Sequence, residues 1–449
     1  MERSNKIIVI LYPCCVQSSD NVNGELNVSE VNLNQSFSTG EAQNNKNYLL
    51  PLTAMTTLFF LWGFITVLND VLIPRLKAVF DLSYTEAMLI QFCFFGAYFI
   101  VSLPAGMLVR KVGYRKGVII GLTVAALGCC LFYPAAAVHE YSLFLAALFI
   151  LAGGITILQV SANPYVAALG PVETASSRLN LAQALNSLGT TIGPIVGAAL
   201  FFGGTGALIN EAAQADSVKV PYLMIAGALL TIAIVFAFLK LPELHEHHAD
   251  EASDVVERPL VEAKHLLMGV IGIFCYVGAE VSIGSFLVNY FADPNIAGLE
   301  EHAAAKLISY YWGGAMVGRF IGAYLMQTVK PWKVLVFNSA MVIALLLVTV
   351  NTTGNIAMYS VLAIGLFNSI MFPTIFTLSI EGLGSQTSKG SGWLCLAIVG
   401  GAIIPLVQGF VADVANIQIS FLIPAVCYVF ILWFAFNVTK LQQRWQPEK

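Results

Sequence analysis

The chain has 449 residues, 57% of them hydrophobic and 11% charged, with a formal net charge of −4. Soluble domains carry about 25% charged residues, so so few charges cannot keep this surface in water, and lipid is the solvent that fits. The small net charge gives no electrostatic footing for nucleic acid or another polyanion.

The first 46 residues are rich in Asn, Ser, Glu and Gln and are expected to form a disordered cytoplasmic tail. Within them, Ile7–Tyr12 follows Arg3 and Lys6 but is too short for a signal-peptide core. Cys14 and Cys15 lie in this tail. The other six cysteines (Cys93, Cys129, Cys130, Cys275, Cys395 and Cys427) sit inside apolar runs, with no C-x-x-C pair and no Cys/His metal spacing. They read as small hydrophobes, and neither disulfide, metal nor organic cofactor is expected.

From Tyr48 onward, apolar runs of about 20 residues alternate with short polar breaks, the length a helix needs to cross about 30 Å of hydrocarbon. The runs are 48–74, 84–109, 117–138, 142–169, 178–203, 220–240, 265–291, 303–328, 332–351, 355–381, 390–413 and 418–439. Lipid offers no partners to bare backbone groups, so each run is expected to be a helix. With the tail in the cytoplasm, cytoplasmic segments hold fourteen Lys and Arg residues, among them Arg110, Lys111, Arg115, Lys116 and Lys389. The opposite side holds only Arg75, Lys77, Lys219 and Lys306. That bias places both termini inside.

The longest break, 242–263, contains the acidic and His-bearing stretch LHEHHADEASDVVERP. It reads as a solvated linker, with His245, His247 and His248 a weak metal alternative. It divides the chain into a six-helix bundle at 47–241 and a second at 264–440, followed by a short tail at 441–449. The fifth run has Gly189, Pro194 and Gly197, and the eleventh echoes it with Gly400, Pro405 and Gly409. The expected fold is an all-α membrane protein of twelve transmembrane helices in two pseudo-symmetric halves.

Polar groups inside such spans are costly and usually face the bundle interior. Asp70 lies about 33 Å along the first run from Tyr48, near its outer end. Glu280 lies about 23 Å into the seventh run, with no basic neighbour in sequence, and is a candidate to take up and release a proton. Gln159 and Asn163 are four apart on the fourth run and share a face; Pro164 frees a backbone carbonyl one turn back. Asn180, Gln183 and Asn186 share a face of the fifth. Amides donate and accept, which suits a neutral polyhydroxylated solute; interhelical amide bonding is the alternative reading. Gln91, Asn289, Asn338, Asn368 and Gln408 are weaker candidates. Trp62 and Tyr276 are the aromatics chosen to stack on a sugar ring. Arg319, deep in the eighth run, is expected to snorkel or to make a structural pair.

The loop GMLVRKVGYRK resembles the signature of the major facilitator superfamily. Gly106 and Gly113 fit it, Lys111 stands for Arg, and Arg115 and Lys116 supply the trailing basic pair. Arg110 replaces the usual Asp, and Tyr114 is inserted. From about Tyr48 to Lys440 the chain resembles the fucose–galactose–glucose branch of that superfamily. The matching stretches are FFLWGF, LNDVLIP, PAGMLVRK, SANPYVAALGP, RLNLAQALNS, FCYVGAE, GRFIGAYL and FPTIFTLSIEGLG. The resemblance implies that Asp70, with Asn69 beside it, stands at a required carboxylate. The second required carboxylate of the fucose permease falls at Gln159, and there and at Glu280 the chain looks like bacterial glucose/galactose transporters.

The resemblance thus implies proton-coupled hexose uptake across a bacterial inner membrane by a monomer. Gln159, Asn163, Gln183, Asn186, Asn69, Trp62 and Tyr276 would hold the sugar, and Asp70 and Glu280 would carry the proton. Sodium coupling and fucose as main cargo are alternatives, with efflux of amphiphiles or sugar sensing further off. No H-E-x-x-H, G-x-S-x-G or Walker A pattern lies in the spans, so an enzyme is not expected.

Overall fold

The structure is a computed structural model that describes residues 49–79, 84–138, 140–202, 211–239, 241–242 and 258–445. The N-terminal tail and the three linker histidines lie outside the described residues. So do the side chains of Asn69, Asp70 and Gln91.

Every apolar run is found as a helix. They are α1 (Leu49–Val79), α2 (Tyr84–Val112), α3 (Tyr114–Val138), α4 (Tyr141–Ala168), α5 (Ala175–Phe202) and α6 (Glu211–Phe238). After the linker come α7 (Lys264–Ala292), α8 (Glu301–Leu325) and α9 (Pro331–Asn351). Two helices are interrupted: α10 (Gly354–Asn368, then Met371–Ile380) and α11 (Thr387–Leu396, then Gly400–Val414). Last is α12 (Leu422–Trp445). Among the described residues, nine of these stretches are long and apolar enough to span a membrane. Two ends differ from the sequence expectation: α1 continues past 74 to Val79, and α6 begins at Glu211 rather than near 220. Apolarity marks only the lipid-covered part of a helix, and helix formers in water carry it further.

The same packing recurs six helices on. α1 packs on α5 as α7 does on α11, and α2 packs on α4 as α8 does on α10. α3 packs on α4 and α6, as α9 does on α10 and α12. Contacts between the two sets of six follow the same rule, α2 against α11 and α5 against α8. Large apolar side chains such as Phe92, Phe99, Leu127, Ile234, Phe410 and Phe436 are exposed on the outside of the bundle, a surface that suits lipid.

One end of the bundle carries Arg110, Lys111 and Lys389. There α2 ends and Gly113, with φ of 83°, turns the chain into α3. Arg115 then caps the open end of α6, with Nη2 donating to the Ala237 carbonyl at 2.6 Å and Nε to that of Phe236 at 3.4 Å.

At this basic end the halves are closed on one another. Gly106 of α2 and Gly392 of α11 let the backbones touch: a Cβ on Gly392 would meet the Ser102 carbonyl oxygen at 2.7 Å, and one on Gly106 the Ser388 oxygen at 2.9 Å. Ser176 Oγ donates to Thr377 Oγ1 at 2.5 Å, because Thr377 spends its own hydrogen on the Pro373 carbonyl. Ser177 Oγ donates to the Ala323 carbonyl at 2.6 Å and Asn180 Nδ2 to Thr374 Oγ1 at 3.2 Å.

Candidate functional site

Two prolines prepare the middle of the bundle. A proline has no N–H, so the carbonyl four residues before it loses its helical partner. In α4, Pro164 releases the Val160 carbonyl, and Ser391 of α11 donates to it at 3.0 Å. In α10, Pro373 releases the Ser369 carbonyl at the break in that helix, and Arg319 Nε donates to it at 3.0 Å. α4 and α10 occupy matching places in the two halves, so the same device is used twice.

Anchored by Ser369, Arg319 reaches two further groups. Its Nη1 donates to Ser187 Oγ of α5. Its Nη2 lies 3.7 Å from Glu280 Oε1 of α7, and both side chains are 15% exposed. Tyr276, one turn before Glu280, donates its hydroxyl to the same Oε1 at 2.8 Å. Glu280 is therefore not the lone carboxylate that the sequence implies. Its counter-ion comes from another helix, which local sequence does not show. Arg319 makes an ion pair rather than snorkelling away.

Ser187 joins this acid–base group to the amide face of α5. Its hydroxyl accepts from Arg319 and donates to the Gln183 carbonyl at 3.0 Å. Gln183 is nearly buried on the turn before. Asn186, beside Ser187, uses Nδ2 on the Phe59 carbonyl of α1 at 2.9 Å, and its Oδ1 makes no hydrogen bond among the described residues. Asn180, on the same face, ties α5 to α10 through Thr374. Part of the amide face thus holds helices together, as the alternative reading expects.

On α4, Asn163 is wholly buried, and neither Oδ1 nor Nδ2 has a hydrogen-bond partner among the described residues. One turn before it, Gln159 is half-buried, and its Oε1 is likewise buried and unpartnered among the described residues. Leaving one buried polar atom unmatched costs about 1–3 kcal/mol, so three together are a heavy load on one turn of helix.

The aromatics divide. Trp62 is buried with its ring centroid 5.3 Å from that of Phe59. Tyr276 is buried with its ring 6.5 Å from that of Phe372. Among the weaker candidates, Asn368 accepts from Tyr428 at 2.7 Å and donates to Tyr311 at 3.0 Å, which ties α10 to α8 and α12. Asn338 donates to the carbonyl one turn back in its own helix, Gln408 to Ser420, and Asn289 is exposed. Ser187 is the residue of this group that sequence reasoning passed over, and Arg319 makes the structural pair expected as one of its two readings, with Glu280 as the partner. The visible signal was a cation deep in an apolar run.

Residues 53–397 match the Major Facilitator Superfamily. A glucose/galactose transporter of Brucella abortus is 59% identical over 395 residues, which are 88% of this chain and 95% of that protein. The L-fucose-proton symporter of Escherichia coli is 36% identical over 420 residues, covering 88% and 94%. A solved major facilitator transporter in the outward conformation superimposes with a TM-score of 0.81 at 34% identity, covering 89% of this chain and all of that one. The chain therefore belongs to the major facilitator superfamily, in the branch that holds glucose/galactose transporters and L-fucose-proton symporters.

Proposed function

We propose that the chain carries a neutral hexose, glucose or galactose, together with a proton into a bacterial cell by alternating access. The relatives support both parts: a protein 59% identical is named for glucose and galactose, and one 36% identical is named for its proton. The observation in this chain that carries the reading is Asn163, a buried carboxamide with no partner among the described residues, one turn from the buried and likewise unpartnered Oε1 of Gln159. A sugar hydroxyl both donates and accepts, so one polyol satisfies amide oxygens and amide nitrogens alike. A charged cargo would want a fixed counter-charge there, and a lipophilic one would leave the amides unsatisfied.

In this reading Gln159, Asn163, Gln183, Asn186 and Asn69 bond the hydroxyls, while Trp62 and Tyr276 bound the ring. Asp70 and Glu280 are the coupling carboxylates. The basic end faces the cytoplasm, so both termini are internal, and the closed basic end corresponds to the outward state. Residues 47–241 and 264–440 move against one another about the linker, and the unit that works is the monomer. Proton loading of a cavity carboxylate favours the outward state, because a neutral acid crosses apolar surroundings far more cheaply than a charged one.

A second reading, fucose as main cargo, rests on the 36% identity to the fucose symporter. Counterflow of labelled hexoses in proteoliposomes decides between them. Glucose or galactose is expected to exchange faster than fucose, with or without sodium. In the same vesicles Asp70→Asn and Glu280→Gln are expected to keep exchange, which needs no net proton movement, and to lose accumulation. A strict sodium requirement, or exchange of fucose alone, overturns the assignment.

A further inference from the structure

The guanidinium of Arg319 is shared between the halves in an uneven way. It is bonded to Ser187 in the first half and to the Ser369 carbonyl in the second. Toward Glu280 it stands at 3.7 Å, close enough for charge attraction and too far for a hydrogen bond. Glu280 gives its Oε1 to Tyr276, and its Oε2 makes no hydrogen bond among the described residues. Among the described residues, the ionisable groups facing Glu280 are Tyr276 from its own helix, Arg319 and Tyr311 from α8, and Tyr428 from α12. Three are phenols, which stay neutral in the physiological range, so among the described residues Arg319 is the fixed charge beside this carboxylate. From α10, the neutral Asn368 bonds Tyr311 and Tyr428, and the Ser369 carbonyl bonds Arg319.

We propose that Arg319 is a positioning residue that switches partners with the protonation of Glu280, and so couples the proton to the closure between α5 and α8. The inference rests on the proton-symport reading above. When Glu280 holds a proton on Oε2, Arg319 has no counter-ion among the described residues of its own half. It then leans on Ser187, and the basic end stays closed. When the proton leaves to the cytoplasm, the carboxylate becomes a full partner within the second half. Arg319 moves the short distance to it and lets Ser187 go, and α5 and α8 part without stranding a buried cation. That order matters because an unpaired buried charge is strongly destabilising, whereas exchanging one partner for another is not. Lysine could not do the same, since one ammonium lacks the planar fork that holds Ser369 and Ser187 together.

The direction of pH dependence follows. Low pH favours the closed basic end and high pH favours its opening. Spin labels on the exposed positions Lys116→Cys and Lys330→Cys, one in each half, report that opening as an interlabel distance; the chain without these two substitutions, treated with the same label, is the blank. In proteoliposomes the closed-to-open ratio is expected to rise on the order of tenfold from pH 8 to pH 6. Glu280→Gln should favour the closed end equally at both values, with no shift between them. Ser187→Ala should be more open at both and lose the response, and Ser187→Thr, which restores the hydroxyl, should recover it. The recovery separates a lost latch from a damaged fold. A parent-like pH response in Ser187→Ala or in Glu280→Gln overturns the proposal, as does a parent with no response. Hexose counterflow in the same vesicles reads the transport assignment separately: absent exchange with an intact response removes the cargo and leaves the latch.

Discussion

The hydroxyl of Ser391 lies 3.0 Å from the carbonyl oxygen of Val160, and the bond joins the two halves of the molecule. It exists because Pro164 cannot supply the N–H that would otherwise take that carbonyl. The helix break is thus the origin of the contact between halves, rather than a defect tolerated beside it.

Ser391→Ala removes the donor and leaves the Val160 oxygen buried and unmatched in the closed state. An unmade bond of this kind costs about 1 kcal/mol, or roughly a fivefold shift in population. The open fraction of the basic end, read with the spin-label pair described above, is expected to increase by that factor. Pro164→Ala should act in the same direction, since the restored N–H competes for Val160.

Gly392→Val drives a branched side chain into the Ser102 carbonyl, which is backbone and cannot step aside. The expected result is a transporter that reaches the membrane in normal amount but loses at least about tenfold in uptake, with its basic end held open. Surface abundance and interlabel distance together check this. A wild-type distance with wild-type uptake would mean that the α2–α11 contact has slack.

Asn163 offers a test that separates binding from folding. Its amide has no partner among the described residues, so Asn163→Leu, which keeps the same branched four-atom skeleton, deletes no hydrogen bond seen there. The melting temperature without sugar should be unchanged or higher. Hexose affinity should fall about 10- to 100-fold, equivalent to one or two lost hydrogen bonds to a neutral ligand. Loss of stability with retained affinity would make Asn163 a packing residue.

Arg115 caps two carbonyls at the end of α6 from the first turn of α3. Arg115→Ala should lower the melting temperature by a few degrees, in line with about 1–2 kcal/mol for lost charge-assisted bonds. Substrate affinity should be unaffected. Thermal unfolding in detergent, beside sugar binding, measures both.

The spans were legible because lipid imposes one rule, a run of about 20 apolar residues, and the chain obeys it from 48 to 439. The amide face of α5 was legible because Asn180, Gln183 and Asn186 recur every three residues. What each amide bonds was not: Asn180 meets Thr374 and Asn186 meets Phe59, across long stretches of sequence. The pairing of Glu280 with Arg319 was hidden for the same reason, since the two lie on different helices. The ends of α1 and α6 were misjudged because hydropathy reports the bilayer, whereas the helix continues beyond it.

The central claim is that a neutral sugar moves with a proton. The direct measurement is uptake of labelled galactose and glucose by proteoliposomes in sodium-free buffer, starting with equal sugar on both sides, when an inward proton gradient is imposed. The account predicts transient accumulation above the outside concentration, abolished by protonophore and absent in Glu280→Gln. Equal sugar on both sides throughout, or accumulation that survives the protonophore, contradicts it.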